Sequence, residues 1–356
     1  MFIVILVVTN TCMQVHVSGQ PDKICPATRE EEVKSFDVRI SKTKVPVEAT
    51  YYVCQQFEVP HAAAYHAVAF EPIIDNKRVM HHMILYACDN DVAVQEGPHK
   101  CEENDLKCEK WLATWTLGLE GQICTHQNSG VRFGRGSVQR MALQVHWANT
   151  ELNTGYFDSS GMSIFYTPKL RQYDLGNVQI GQTFLEIPPL SDRFEQHGSC
   201  SSDCSRKQLL HPVYFTKTNL HMHGAGVAGS LEQYRGGRLL NLIAYDPFYD
   251  NLKPHIHEHN PPIEVLPGDE IVLRCLYDTL SPEKMRVNTT SFGLGSDDEM
   301  CYAFVSHFPA LPHFDRCIQY QDLDAGDCAP TTLNHTFTNL SMSFFKFQKG
   351  GLEIAT

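Results

Sequence analysis

The chain has 356 residues, of which 42% are hydrophobic and 20% are charged, and its formal net charge is −12. This composition is typical of a globular protein and excludes a disordered one, and the length allows about two domains. The acidic balance, with no dense cluster of Lys and Arg, excludes nucleic acid as a partner.

The first residues are typical of a secretory signal peptide. An apolar run from Phe2 to Val8 is followed by polar residues, and Ser18 and Gly19 are small enough for cleavage before Gln20. The run is too short for a transmembrane helix, and no later segment is apolar enough to span a bilayer. We therefore predict a signal peptide over residues 1–19 and a secreted mature protein, extracellular or in the lumen of secretory vesicles.

The cysteines and glycosylation motifs agree with export. Of 13 cysteines, Cys12 lies in the predicted signal peptide, and the remaining even number predicts up to six disulfides in place of thiol chemistry. Sequons at Asn288, Asn334 and Asn339 predict N-glycosylation.

Short strands separated by turns predict an all-β protein. Stretches with helical periodicity are scarce, but residues 109–115 suggest a short helix. The pattern loosens through Pro168, Gly176 and Pro188, which predicts a domain boundary there. We predict an N-terminal domain over residues 25–170, a C-terminal domain over residues 171–320 and a flexible, glycosylated tail over residues 321–356. The predicted strands are Phe36–Ile40, Ala49–Val53, Tyr65–Phe70, Met83–Tyr86, Met141–Trp147, Leu239–Tyr245, Ile263–Leu266, Glu270–Cys275 and Cys301–Val305.

Two histidine pairs are candidate metal ligands. Side chains alternate along a strand, so His221 and His223 point to one face, and neutral imidazole suits copper and zinc. The alternative is a strand that carries two exposed histidines. His81 and His82 are adjacent, so they share one ion only if the backbone bends there or the two rings use different nitrogens.

Two further candidate metal ligands would not indicate a metal site if each were considered alone. His146 lies in a mostly apolar strand, where a histidine is more often a satisfied core residue than a ligand. Met300 would be an ordinary core residue. A thioether beside two imidazoles, however, favours copper over zinc.

As a set, these residues resemble the copper type II ascorbate-dependent monooxygenases, in that family's order. The resemblance covers about Phe36 to Cys317. The matched motifs are His81-His82-Met83, Gln144-Val145-His146, His221-x-His223 and Glu299-Met300-Cys301.

The resemblance implies two antiparallel jelly-roll sandwiches that face a copper-lined cleft. It implies two coppers per subunit, with ascorbate as the reductant. The electron-transfer copper would be held by His81, His82 and His146. The oxygen-binding copper would be held by His221, His223 and Met300. No catalytic residue beyond these ligands is implied.

The resemblance also implies four disulfides, namely Cys54–Cys101, Cys88–Cys108, Cys200–Cys317 and Cys275–Cys301. It leaves four cysteines unassigned, namely Cys25, Cys124, Cys204 and Cys328.

Two positions depart from the peptide-amidating branch of the family. That branch has an arginine and a tyrosine that grip a peptide carboxylate, and the corresponding residues here are Asn219 and Phe304. A carboxylate would lose its charge partner and its hydroxyl donor. The resemblance is therefore nearer to the dopamine β-hydroxylase branch, and the physiological substrate is left open.

A third group of histidines, His255, His257 and His259, alternates just before Pro261. We interpret it as a solvated loop, with a secondary metal site as the alternative.

The leading hypothesis is a secreted enzyme that uses copper, ascorbate and dioxygen to hydroxylate a C–H bond of a small, phenylethylamine-like substrate. The alternative is a secreted interaction protein, associated with the extracellular matrix, that keeps the fold without turnover. A zinc hydrolase would have no use for Met300 and lacks an obvious general base. The sequence leaves the oligomeric state open.

Overall fold

The structure is a computed structural model that describes residues 24–319, except residues 96, 102–106, 109, 294 and 296. The predicted signal peptide, the predicted tail, Cys328 and the sequons at Asn334 and Asn339 lie outside the described residues. Asn288, the asparagine of the remaining sequon, is exposed.

The first half of the described chain is a sandwich of two main sheets. One has the order β1-β12-β4-β9-β13, with β8 paired to β4, and the other has the order β6-β3-β10-β5-β7. After a 3-10 helix at Pro26–Arg29, the strands are β1 (Lys34–Arg39), β2 (Thr43–Lys44), β3 (Thr50–Glu58), β4 (Ala64–Ile73), β5 (Met80–Cys88), β6 (His99–Lys100), β7 (Lys110–Thr116), β8 (Ile123–Cys124), β9 (Ser129–Gly134), β10 (Arg140–Ala148), β11 (Phe157–Asp158), β12 (Gly161–Thr167) and β13 (Tyr173–Asp174).

The second half is another sandwich, with sheets of order β20-β17-β23-β14-β24 and β16-β21-β18-β19. Its elements are β14 (Gly176–Gln182), β15 (Glu186–Ile187), β16 (Phe194–Cys200), α1 (Ser202–Gln208), β17 (Val213–His221), β18 (Gly226–Arg235), β19 (Arg238–Asp246), β20 (Ile256–Val265), β21 (Glu270–Tyr277), β22 (Thr290–Ser291), β23 (Cys301–Phe308) and β24 (Arg316–Gln319). Among the described residues, no helix has the length and apolar character needed to cross a membrane.

Each half has its own hydrophobic core. Alternate residues of facing strands are buried between the sheets, with Trp147 and Phe133 among the largest in the first half and Phe215 and Tyr277 in the second. The indole N–H of Trp147 donates to Asp158 at 2.9 Å, so this buried polar group is satisfied. The predicted all-β, disulfide-rich fold is confirmed.

Two local predictions were wrong. Residues 110–116 form strand β7 and not a helix, because they pair with β5 and their aromatic and β-branched side chains suit a strand. The segment of His257 and His259 forms strand β20 and not a loop. The prolines that suggested a loop are tolerated because β20 is at the edge of its sheet, where a missing backbone N–H costs little.

Disulfides tie the strands together within each half. The structure contains Cys54–Cys101, Cys88–Cys108, Cys200–Cys317 and Cys275–Cys301. It also pairs Cys25 with Cys124, a bond that the sequence left open, and Cys204 is disulfide-bonded as well. The Cys275–Cys301 bond joins β21 to β23 at the residue that follows Met300.

Removal of this bond by Cys275→Ser/Cys301→Ser should destabilise the second half alone. Opening a loop of 26 residues should lower the free energy of unfolding by about 3.5 kcal/mol. All three tryptophans lie in the first half, so fluorescence reports its unfolding, whereas far-UV circular dichroism reports both halves. In urea, the dichroism transition should shift while the fluorescence transition stays in place.

The matched control is Cys54→Ser/Cys101→Ser, which opens a loop in the first half and should shift the fluorescence transition. If the fluorescence and dichroism transitions shifted equally in both variants, this would contradict the prediction that the two cores unfold independently.

Candidate metal centres

The first histidine set lies where β5 and β10 pair. His82 is opposite His146, but the next pair is Trp147 with Met80, so His81 is the extra residue of a β-bulge. A bulge turns the side chain of one residue towards the face of its neighbour. This bend allows two adjacent histidines to point to one place, as the first of the two sequence alternatives required.

The three rings present the same nitrogen to one point. The Nδ1 of His82 lies 3.2 Å from the Nδ1 of His81 and 3.4 Å from the Nδ1 of His146. Three neutral imidazoles cannot all donate to one another, so their lone pairs need a shared cation or water. His81 and His82 both direct Nδ1 towards this point, so the structure does not show the alternative in which the two rings use different nitrogens.

Residues of β3 hold the His146 ring in this orientation. Its Nε2 lies 2.5 Å from the hydroxyl of Thr50, and if it donates this bond, Nδ1 is left free of a proton. Its face stacks on Tyr52, the cross-strand neighbour, with ring centroids 4.2 Å apart and an angle of 6°. The sequence analysis missed both supporting residues, because only the pairing register shows that they face His146.

The second set lies where β17 ends beside the start of β23. His221, the last residue of β17, pairs with Tyr302 near the start of β23. The same Glu299 oxygen accepts from the backbone N–H groups of His223 and Met300, so these two residues lie close together. The rings of His221 and His223 are 5.4 Å apart and nearly perpendicular. Met300 is 8% exposed, so its thioether is mostly shielded from water.

A buried carboxylate organises the turn after His221. Glu299 is fully buried and accepts from the backbone N–H of His223 at 2.7 Å, of Ala225 at 2.6 Å and of Met300 at 3.2 Å. The His223 Nδ1 lies 2.9 Å from the backbone carbonyl of Asp298, which accepts its proton and leaves Nε2 for a metal. Burial raises the pKa of Glu299, and the three N–H donors oppose this shift.

Burial favours the neutral form of His81, His82, His146 and His221, the form that binds metal. It lowers the pKa of His146 and of His221 to about 3, and it lowers the pKa of His82 well below its ordinary value. Burial also lowers the pKa of His81, and repulsion from His223 lowers it further. His223 belongs to the other half, so the two histidine sets are close enough for their charges to interact.

Contacts between the halves lie beside the second histidine set. The Asn177 side chain, on β14, donates to the carbonyls of Trp111 and Leu112 at 3.2 and 3.0 Å. The Trp111 ring packs 5.1 Å from the ring of Phe304, which in turn lies 5.8 Å from the ring of His221. Aromatic side chains from both halves therefore meet beside the second histidine set.

Comparison with known families gives two adjoining matches. The model of the copper type II ascorbate-dependent monooxygenase N-terminal domain matches residues 36–154, and that of the C-terminal domain matches residues 173–325. The chain belongs to this monooxygenase family.

Curated relatives in this monooxygenase family share about 30% identity with the chain. DBH-like monooxygenase protein 2 of Mus musculus is 30% identical over 89% of the chain and 56% of its own length. Tyramine beta-hydroxylase of Caenorhabditis briggsae is 30% identical over 76% of the chain and 47% of its own length. Dopamine beta-hydroxylase of Bos taurus is 29% identical over 78% of the chain and 47% of its own length. The chain therefore spans about half the length of these relatives.

The family's cofactors are copper and ascorbate, and the donor atoms fit copper. The atoms of His81, His82 and His146 that can bind a metal all lie within 4.8 Å of one another. Imidazole binds both copper oxidation states, and a thioether is a soft donor that favours Cu(I). Glu299 and Asp298, which orient His223, belong to the motif before Met300, but the sequence alone gave them no role.

If the two sets are separate copper centres, His81→Ala and His221→Ala should each remove about one copper equivalent from the parent's total. Each substitution deletes one of three ligands at only one site. Elemental analysis after dialysis against a weak chelator measures the loss. The control is His211→Ala, an exposed histidine outside both sets, which should keep the parent's content. Full copper content in His221→Ala would count against the second centre.

Proposed function

We propose that the protein is a secreted copper- and ascorbate-dependent monooxygenase that hydroxylates a C–H bond of a small, phenylethylamine-like substrate with dioxygen. The observation that carries this proposal is the pair of chemically different donor sets, one in each half, in a chain that belongs to the monooxygenase family. A structural metal site needs neither two centres nor a soft ligand at one of them.

The residues divide into two centres. We assign His81, His82 and His146 to the electron-transfer copper. We assign His221, His223 and Met300 to the oxygen-binding copper. When bound, the copper ions would supply one-electron transfer from ascorbate and activation of dioxygen.

The protein's own groups hold these ligands in place. Thr50 and Tyr52 fix the His146 ring, and the backbone carbonyl of Asp298 sets the tautomer of His223. Glu299 fixes the backbone from His223 to Ala225 by accepting two of its N–H groups. Ligands held in this way lose little freedom when metal binds, and such support is worth roughly 10- to 100-fold in metal affinity.

The side chains beside His221 suit an aromatic amine. The rings of Trp111 and Phe304 supply an apolar surface for a phenyl group. Asn219 pairs with Phe304 across the strands, and within the described part of the chain its buried Oδ1 has no hydrogen-bond partner. This oxygen is an acceptor for a substrate N–H group. Asn219 and Phe304 offer no cation for a carboxylate, which disfavours peptide amidation.

The alternative is a secreted interaction protein that keeps the fold without turnover. The edge strand β19 favours it, because several large apolar side chains there are exposed. They are Leu239, Leu240, Leu242 and Tyr245, followed by Phe248. Export supports both functions, and the disulfides are typical of an oxidising compartment.

Ascorbate-dependent oxygen consumption with tyramine, dopamine and phenylethylamine distinguishes the two functions. At matched copper loading, Met300→Leu should lower turnover by at least about tenfold, since loss of a ligand should cost no less than loss of a group that supports one. Met300→His should retain copper but slow oxygen reduction, because a harder nitrogen donor favours Cu(II). The control is Met285→Leu, since Met285 is 47% exposed and lies outside both sets.

Equal turnover in the parent and in both Met300 variants would contradict the assigned role of Met300. Binding of copper with no ascorbate-dependent turnover of any of the three amines would favour the interaction protein.

A further inference from the structure

A third cluster of metal-binding side chains lies at the base of one loop. β19 ends at Asp246, and the chain returns through residues 247–255 to the start of β20. The His257 Nε2 is 2.9 Å from Asp246 Oδ1, and the His255 Nδ1 is 3.3 Å from the same oxygen. The two imidazole rings are 4.3 Å apart. The cluster therefore closes the two ends of the loop on each other.

The donor set suits a divalent transition metal ion. Two imidazole nitrogens and one carboxylate oxygen lie within 4.8 Å of one another. The side chains of Asp246 and His257 are only 10% and 14% exposed, so two donors are held in place, whereas that of His255 is 68% exposed and can adjust. Zinc and copper both take this combination of ligands.

The loop above the cluster contacts the second histidine set. The Tyr249 hydroxyl donates to the carbonyl of Met222 at 2.8 Å and accepts from the N–H of Met222 at 3.0 Å. Met222 stands between His221 and His223, so this buried tyrosine fixes the backbone of both ligands. Tyr249 is 8% exposed.

The same loop also reaches the first histidine set. A Cβ on Gly118 would collide with the carbonyl of Leu252, and Gly118 has a φ of +89°, so glycine alone permits this approach. The preceding residue, Leu117, donates its N–H to the carbonyl of His81 at 2.8 Å. The loop therefore runs from the backbone between His221 and His223 to Gly118, whose neighbour Leu117 bonds the carbonyl of His81.

We propose that Asp246, His255 and His257 form a third metal site, which binds a divalent transition metal ion and closes the base of this loop. A metal there restricts the separation of Asp246 from His257 and so holds the loop against both histidine sets. The ion acts at a distance from the two histidine sets, through Tyr249 and Leu252. Without a metal, the same three side chains form only a hydrogen-bonded group.

Zinc titration of the copper-loaded protein tests the site. The parent should bind one Zn²⁺ beyond its copper. Asp246→Asn, His255→Ala and His257→Gln should each weaken that binding by at least about tenfold, as even indirect support of a metal site is worth that much. His255→Ala leaves the packing intact, because its side chain is mostly exposed. His211→Ala is the matched control and should bind zinc like the parent.

Copper itself can fill the cluster during loading, and the parent should then hold one more copper equivalent than His257→Gln. Equal total metal in the parent and all three variants would overturn the site.

Hydrogen–deuterium exchange tests the effect on the loop. Zinc should slow exchange of the amides of residues 247–254 in the parent but not in His257→Gln. Zinc binding that leaves this exchange unchanged would overturn the proposed restraint of the loop.

Discussion

Strand register is the constraint on which both proposed metal centres depend. The first centre needs His82 opposite His146 and one extra residue at His81, and the second needs His221 opposite Tyr302. A shift of one residue in either pairing would turn the ligands to the other face of the sheet. The buried residues that alternate with the ligands oppose such a shift, since Met83, Leu85 and Leu143 would lose their places in the core.

Burial and hydrogen bonding prepare the ligands for metal. Burial lowers the pKa of His146 and of His221, so copper displaces no proton from these two rings at neutral pH. Each centre then depends on groups that are not ligands themselves. Thr50 and Tyr52 orient His146, whereas Glu299 and the carbonyl of Asp298 orient His223. The two halves fold around separate cores, and their contact through Asn177 brings the two prepared sets together.

The sequence predicted the fold class because strand periodicity is a local property. The two ligand sets, in contrast, came from the resemblance to the monooxygenase family. His221 and His223 share a face on any regular strand. The bulge at His81 was not predictable, since it depends on how β5 meets β10. The same reason explains why Thr50 and Tyr52 were missed and why residues 110–116 were wrongly predicted as a helix. The pairing of Cys25 with Cys124 was also beyond the sequence, because a set of cysteines allows many connectivities.

Position in the sheet explains the remaining error. Pro261 and Pro262 are poor residues for a central strand, because proline has no backbone N–H to donate to a neighbouring strand. β20 is an edge strand with a neighbour on one side only, so it can contain both prolines. As a strand, the segment returns His257 to Asp246 at the end of β19. The histidines that the sequence assigned to a solvated loop therefore lie at the base of a loop that reaches both ligand sets.

The central claim is that two strand pairs build two chemically different copper centres, one with nitrogen ligands alone and one with nitrogen and sulfur. Copper K-edge X-ray absorption tests it most directly, on ascorbate-reduced His257→Gln protein loaded with two copper equivalents. The account predicts a sulfur signal equivalent to one sulfur for every two coppers, and its loss when Met300→Leu is added. No sulfur signal, or one that persists in the Met300→Leu protein, would contradict it.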